Sequence, residues 1–236
     1  MEQRFDRRQP RGENKLKITA VVPARIRSSR CARKMVRPFA GTTLFEIAIG
    51  KLSQLEVDAC YAAVGEPELI RLAEAAGVPV WKRSARSLVS ENLLEINDYV
   101  GVLPTDYFLV INAANPLLSV ETINRALRFF RDELPKSLFG VITRRQLFWN
   151  ANGARLFASS TTNTKQCDFF YEAAHSIYLF NPQAALALGV WWTYTAGDPH
   201  LFVLPPEEVA DIDTENDFIA AEALYRHRIN LLEASK

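Results

Sequence analysis

A short apolar segment that runs directly into a basic loop constrains this chain more than any other feature. Residues 18–22 read ITAVV, and a brief run rich in apolar and β-branched residues is typical of a buried strand. Six cations follow Pro23 within one loop: Arg25, Arg27, Arg30, Arg33, Lys34 and Arg37. Ligands of open parallel sheets lie beyond the carboxyl ends of the strands, and guanidinium groups suit phosphate oxygens. The order therefore predicts an anion site, although the charges alone fit a solvated basic loop equally well.

Segments of strand and helix character alternate along the rest of the chain. We expect strands at 18–22, 59–64, 78–81, 107–111, 139–143, 176–180 and 201–204. Residues suited to a cap or a first turn mark the expected helix starts: Thr43, Pro67, Ser90, Ser119, Pro182 and Thr214. This alternation predicts an α/β fold with a doubly wound, mostly parallel sheet.

The chain is long enough for one complete domain. At 236 residues and 48% hydrophobic content it can bury a full core. We expect residues 1–15, which are polar and rich in arginine, to form a disordered arm without the apolar stretch of a signal peptide. The single domain is then expected to span 16–236.

The strand-and-helix pattern breaks at residues 146–172. Leu147-Phe148-Trp149, the turn signal Asn152-Gly153 and Leu156-Phe157 together predict a β-hairpin. It carries exposed-looking aromatic residues, and Phe169, Phe170 and Tyr171 follow it. A monomer seldom displays that much apolar surface without a partner. The excursion therefore favours a homodimer, while a hairpin folded onto its own sheet is an open alternative.

Composition argues against several classes of protein. The net charge of +1 gives no strong field that would favour nucleic acid. No apolar run approaches the roughly 20 residues that a membrane span requires. Three widely spaced cysteines, Cys31, Cys60 and Cys167, form neither a metal pattern nor a disulfide framework, which suits a reducing cytoplasm.

A pair of carboxylates near the C-terminus is the second chemical signal. Asp211 and Asp213 are two residues apart, so they project to the same side of an extended backbone. Mg²⁺ takes one or two carboxylates and completes its shell with water and phosphate oxygens. The alternative interpretation is that these charges complement the dipole of the helix that follows.

Taken in order, these motifs resemble those of the cytidylyltransferases that activate sugar acids. The resemblance covers residues 16–228 and rests on several collinear matches: Pro23-Ala24-Arg25, Ser28, Arg30, Lys34, Pro38-Phe39-Ala40-Gly41, Arg83, Asn115-Pro116-Leu117, Lys165-Gln166, Ile177-Tyr178 and Asp211-Ile212-Asp213-Thr214. The ending is similar to that of CMP-sialic acid synthetases. The Ser-x-Arg form of the loop is closer to the relatives that activate 3-deoxy-manno-octulosonate.

The resemblance implies a reaction and a role for each matched residue. The enzyme would transfer CMP from CTP to the anomeric hydroxyl of a nonulosonic or octulosonic acid and release pyrophosphate. Arg25, Lys34 and Asp213 would be catalytic, and Asp211 and Asp213 would hold Mg²⁺. CTP would contact Ala24, Arg25, Ser28, Ser29, Arg30, Lys34 and Arg83. The acid would contact Asn112, Asn115, Lys165, Gln166 and Tyr178, with Lys165 placed in the dimerisation excursion.

Departures from the family pattern leave an alternative function open. Arg27 stands where the family usually has a small residue that lets backbone N–H groups approach phosphate. Leu118 replaces an arginine, and Ala174-His175 replaces an Asn-Gly pair. His175 could contact substrate or move a proton, although a structural hydrogen-bonding role is the commoner one for such a residue. The alternative is a nucleotide- or sugar-binding relative that has lost catalysis.

Overall fold

The computed structural model describes residues 16–156 and 163–234. In this part of the chain the strands are β1 (Ile18–Pro23), β2 (Ala59–Val64), β3 (Val80–Lys82), β4 (Tyr107–Ile111), β5 (Ser137–Arg144), β6 (Phe170–Phe180) and β7 (His200–Val203). The α-helices are α1 (Leu44–Gly50), α2 (Pro67–Ala75), α3 (Ala85–Val89), α4 (Leu93–Ile96), α5 (Val120–Glu133), α6 (Pro182–Leu188) and α7 (Glu215–Ala234).

All seven described strands share one sheet in the order β3-β2-β1-β4-β6-β5-β7. Strand β1 pairs in parallel with β2 and β4, and β5 pairs in parallel with β7. Strand β6 runs antiparallel to both of its neighbours, β4 and β5. The predicted doubly wound, mostly parallel α/β fold is thus confirmed, and the carboxyl ends of β1 and β4 lie side by side.

The core covers both faces of the sheet, as the apolar β1 sequence requires. Ile18, Ala20 and Val22 are fully buried in the larger cluster, which includes residues of α1, α5 and α7. Val21 points the other way into a second cluster with Phe108 of β4. Alternation of side chains along a strand gives this division, and burial on both faces explains why β1 carries no charged residue.

One predicted helix start is wrong. Ser90 ends α3 instead of opening a helix, and its hydroxyl donates to Glu95. Ser84 caps α3 by accepting from the backbone N–H of Ser87, and Asn92 caps α4. Three residues with good capping side chains lie within nine positions, and spacing alone does not say which of them a helix will use.

The predicted hairpin forms at its expected turn. Trp149 and Arg155 make an antiparallel bridge, and Gly153 adopts a φ of +77° in the connecting loop. That conformation is readily available to glycine. Residues 157–162, which include the predicted hairpin residue Phe157, lie outside the described residues, as does the predicted arm at 1–15. In the described chain no helix is both long and apolar enough to span a membrane.

Candidate active site

The basic loop after β1 lines a cavity of about 290 Å³ at the carboxyl end of the strand. We call it the loop cavity. It brings together eight of the residues predicted from sequence, namely Ala24, Arg25, Ser28, Ser29, Arg30, Lys34, Arg83 and Asp213, and adds Pro23, Arg27, Met35 and Ile96. Cations outnumber carboxylates strongly among these residues, so the cavity attracts an anion with several negative charges.

Arg83 fixes the turn by which the chain leaves β1. Its side chain is buried, and its guanidinium donates to the carbonyl oxygen of Ala24 at 3.2 Å and to the Ser87 hydroxyl at 2.8 Å. Burial lowers the pKa of this guanidinium, while Asp98 and Glu66 act in the opposite direction. Arg83 thus borders the cavity and also holds the Pro23-Ala24-Arg25 turn in place.

Lys34 joins the basic loop to the carboxylate segment from the far end of the chain. Its Nζ donates to the carbonyl oxygen of Ile212 at 2.5 Å and lies 3.7 Å from Asp213 Oδ1. Arg30 reaches the same carboxylate oxygen at 2.8 Å. Two cations of the loop therefore contact one carboxylate, although about 180 residues separate them in sequence.

Asp211 lies beside Asp213 in a less favourable electrostatic setting. Burial raises the pKa of Asp211, and the charge of Asp213 raises it further. Its carboxylate accepts a hydrogen bond from Asn112 Nδ2 at 3.3 Å, which is a long contact. The two carboxylates line one cavity and repel each other, an arrangement that a hard cation with oxygen preference would relieve. No group of three or more metal-ligating side chains occurs within the described ranges.

A second cavity of about 370 Å³ adjoins the first and shares Arg30, Lys34, Met35 and Asp213 with it. We call it the β6 cavity. Asn112, Asp211, Tyr178 and His175 complete most of its lining. Two of the predicted substrate residues, Asn112 and Tyr178, thus line the β6 cavity together with Asp211 and Asp213.

A bulge in β6 brings His175 to this position. Phe139 pairs with Tyr178, but Val141 two residues later pairs with Ala173, so β6 contains extra residues at this point. His175 has a φ of +47° within the bulge, and its carbonyl oxygen accepts from Asn112 Nδ2 at 2.7 Å. Its Nδ1 lies 3.4 Å from the Tyr178 hydroxyl. Sequence reasoning left His175 out of the predicted site, because a strand pattern gives no sign of where a bulge turns a side chain.

Three predicted substrate residues line neither cavity. Asn115 is buried, and its side chain bonds to the Ser176 hydroxyl at 2.5 Å and to the backbone N–H of Ala210 at 3.1 Å. It holds β6 and the segment before Asp211 together. Lys165 and Gln166 form a short 3-10 helix in the excursion. Among the described residues, Lys165 thus lies outside the linings of both the loop cavity and the β6 cavity.

The mostly parallel sheet and the basic cleft at its carboxyl edge define an α/β nucleotidyltransferase-like protein. A family model described as Cytidylyltransferase matches residues 19–182. That match covers well over half of the sequence, so the chain belongs to the cytidylyltransferase family.

Curated relatives are similar over part of the chain. The 3-deoxy-manno-octulosonate cytidylyltransferase of Francisella tularensis subsp. novicida is 22% identical over 143 residues, which are 59% of this chain and 57% of that protein. A relative of the same name from subspecies holarctica matches to the same extent. The chain thus spans little more than half the length of these relatives. Membership of the sialic acid branch stays a prediction.

Solved structures share the fold over nearly the whole chain. A CMP:2-keto-3-deoxy-manno-octonic acid synthetase complexed with CTP matches with a TM-score of 0.69 at 13% identity, covering 90% of this chain and 99% of that one. A 4-diphosphocytidyl-2C-methyl-D-erythritol synthase from Anaerococcus prevotii matches with a TM-score of 0.61 at 14% identity, covering 89% and 99%. At these identities the likeness concerns the fold alone.

Proposed function

We propose that this protein transfers CMP from CTP to the anomeric hydroxyl of a sugar acid and releases pyrophosphate. The observation that carries the proposal is the meeting of Arg30 and Lys34 with Asp213 at the carboxyl end of β1, in a member of the cytidylyltransferase family. The acceptor hydroxyl attacks the α-phosphorus, and the bond from that phosphorus to the β-phosphate oxygen breaks. The hydroxyl proton is lost, and pyrophosphate leaves.

The loop cavity suits the triphosphate half of this reaction. Arg25, Arg30 and Lys34 point positive charge into a partly enclosed space, and Ser28 and Ser29 add hydroxyl groups. Fixed cations aimed at the position where charge develops lower the barrier, because they need no reorganisation during the reaction. We assign these side chains to the β- and γ-phosphates, where they neutralise the leaving pyrophosphate.

Asp211 and Asp213 fit a magnesium ion as well. Burial and, after it, the charge of Asp213 raise the pKa of Asp211, and the carboxylate oxygens of the pair are the kind of ligand that Mg²⁺ prefers. When bound, the ion would supply positive charge to phosphate oxygens. Arg30 and Lys34 contact Asp213 in this structure. A bound triphosphate would be a second anion that both cations can contact.

The β6 cavity is the proposed place of the acceptor. Asn112 and Tyr178 offer polar groups at its wall, and Phe139 and Trp192 stack behind Tyr178 as a rigid aromatic support. An octulosonic acid is the first substrate to test, because the Ser-x-Arg loop and the curated relatives' names point to that branch. Nonulosonic acids such as sialic acid come second.

The experiment that tests the proposal measures pyrophosphate release with CTP, Mg²⁺ and a panel of octulosonic and nonulosonic acids. We expect release with one acid and none with CTP alone. The same assay with ATP, GTP and UTP examines the choice of base. No release with any acid, combined with CTP binding by calorimetry, would support the non-catalytic relative that Arg27 and Leu118 suggest. Absence of both release and CTP binding would contradict the proposal altogether.

A homodimer is part of the proposal, and the excursion is its proposed interface. Trp149, Phe169 and Tyr171 expose 56, 50 and 45% of their surface. We expect light scattering after size exclusion to give twice the chain mass, and W149S/F169S to give a monomer. V102S, which alters an equally exposed residue elsewhere, should remain a dimer. If the parent protein is a monomer, the proposed interface is wrong. The proposal that Lys165 contacts the substrate in the site of a second subunit is then wrong as well.

A cytoplasmic location completes the proposal. Cys31, Cys60 and Cys167 are all free thiols, and two of them are buried. Unpaired cysteines suit a reducing compartment. Fractionation with an antibody against the full chain would place the protein directly.

A further inference from the structure

A third cavity, of about 490 Å³, is separate from the cleft. It lies between α1, α7 and the turn that precedes α5. We call it the α1–α7 cavity. None of its lining residues lines the loop cavity or the β6 cavity. It contains charged groups of both signs and a large apolar surface, and the proposed transferase reaction uses none of them.

Lys51 is the unusual group in this cavity. It is only 9% exposed, and its Nζ donates to the carbonyl oxygen of Pro116 at 3.2 Å. That carbonyl is the one acceptor within reach of its three N–H donors among the described residues, and no described carboxylate lies within ion-pair distance of it. A buried ammonium group with one neutral partner is costly, and desolvation lowers the pKa of Lys51 to about 8.

The other charges around Lys51 already have partners. Glu208 accepts from the backbone N–H of Ser119 at 2.9 Å and lies 3.6 Å from Arg228. Arg228 also donates to the carbonyl oxygen of Leu117 at 2.6 Å. Glu46 accepts from the hydroxyls of Thr42 and Thr43 at the start of α1. Glu208 acts on Lys51 only from a longer distance, where its charge opposes the fall in the pKa of Lys51. Among the described residues, Lys51 is therefore the cation of this lining that has no carboxylate at ion-pair distance.

The rest of the lining is mainly apolar. Ile47 of α1, Val120 of α5, and Tyr225 and Ile229 of α7 form walls beside the two cations. Burial of a hydrocarbon or aromatic body against such a surface is favourable, because it removes apolar area from water. A ligand that complements both parts would carry one negative charge on a compact apolar body.

We propose that the α1–α7 cavity binds a small amphipathic monocarboxylate, with its carboxylate on Lys51 and Arg228 and its apolar body against Ile47 and Ile229. Only one cation of the described lining lacks a carboxylate at ion-pair distance, which favours a monoanion over a phosphate or pyrophosphate dianion. This site is independent of the transferase proposal, because it shares no lining residue with the cleft.

The first test is calorimetric titration of the full chain with 3-phenylpropionate, with the neutral 3-phenylpropanamide as the matched ligand. We expect the acid to bind at least tenfold more tightly than the amide. K51M and R228Q should each lower the affinity for the acid by tenfold or more, and they should leave the affinity for the amide nearly unchanged. K34M, which removes a cation from the cleft instead, should bind the acid normally.

Proton linkage gives a second, independent readout. An anion beside Lys51 favours its charged form, so binding at pH 8.5 should take up protons, seen as a heat that differs between buffers of unlike ionisation enthalpy. The charged groups that face Lys51 are Arg228, Glu208 and Glu46. K51R should bind without proton uptake. Equal affinity for acid and amide, full binding by K51M, or loss of binding in K34M would each overturn the proposal.

Discussion

Replacing Asp213 with asparagine is expected to lower pyrophosphate release by about 10²- to 10³-fold, the usual cost of losing one preorganised electrostatic group. Asparagine keeps the shape of the side chain but removes its charge, so the proposed magnesium ion loses one of two anionic ligands. Arg30 and Lys34 lose their carboxylate partner as well. The loss should appear mainly in kcat, because the change affects charge that develops during the reaction.

Stability separates this chemical effect from damage to the fold. Asp213 is partly exposed, and its backbone N–H bonds to Asp217 independently of its side chain, so D213N should melt within a few degrees of the parent. E215Q is the matched control, because Glu215 lies two residues along and pairs with Arg37, outside the cleft. We expect E215Q to keep nearly full turnover. Unchanged turnover in D213N would remove the metal role assigned to Asp213.

The parts of the site that sequence predicts well are those fixed by local pattern and by strand order. Short motifs mark the β1 segment, its basic loop and the Asp211–Asp213 pair. The strand order of the mostly parallel sheet places all three at the same edge. The β4 strand lies next to β1, which brings Asn112 there too. Local pattern together with the family resemblance therefore predicts most of the residues that line the loop cavity.

The remaining features depend on tertiary contacts that no local pattern reports. The sequence suggests that Asn115 is available to bind substrate. In the structure its side-chain amide is hydrogen-bonded to Ser176 and Ala210, which are distant along the chain. His175 enters the β6 cavity because of a bulge, and bulges depend on the pairing of two strands. Lys51 directly follows the short helix α1, and its Nζ bonds to the carbonyl oxygen of Pro116, which is 65 residues away in sequence. The surroundings of each of these residues decide its role, and the residue type alone does not reveal them.

Replacing Lys34 with methionine is expected to reduce kcat/KM for CTP by about 10²- to 10³-fold, and here KM should rise as well. Lys34 is proposed to bind the triphosphate before the reaction, so its loss weakens the ground state and the transition state together. It also holds the carbonyl oxygen of Ile212 at 2.5 Å, which keeps the carboxylate pair against the basic loop. Methionine fills the space of the lysine stem but can make neither contact.

A modest loss of stability should accompany the loss of activity. The Lys34 side chain is only 14% exposed, and leaving the Ile212 carbonyl without its donor costs about 1–3 kcal/mol. R33M is the matched control: Arg33 is the preceding residue, pairs with Glu68 and lines neither cavity. R33M should retain CTP binding and turnover. If K34M is less stable but has the same KM for CTP as R33M, Lys34 only connects the basic loop to the carboxylate segment and does not bind the triphosphate. If the KM of K34M for CTP rises while its melting temperature is unchanged, the contact of Lys34 with phosphate matters more than its structural contact.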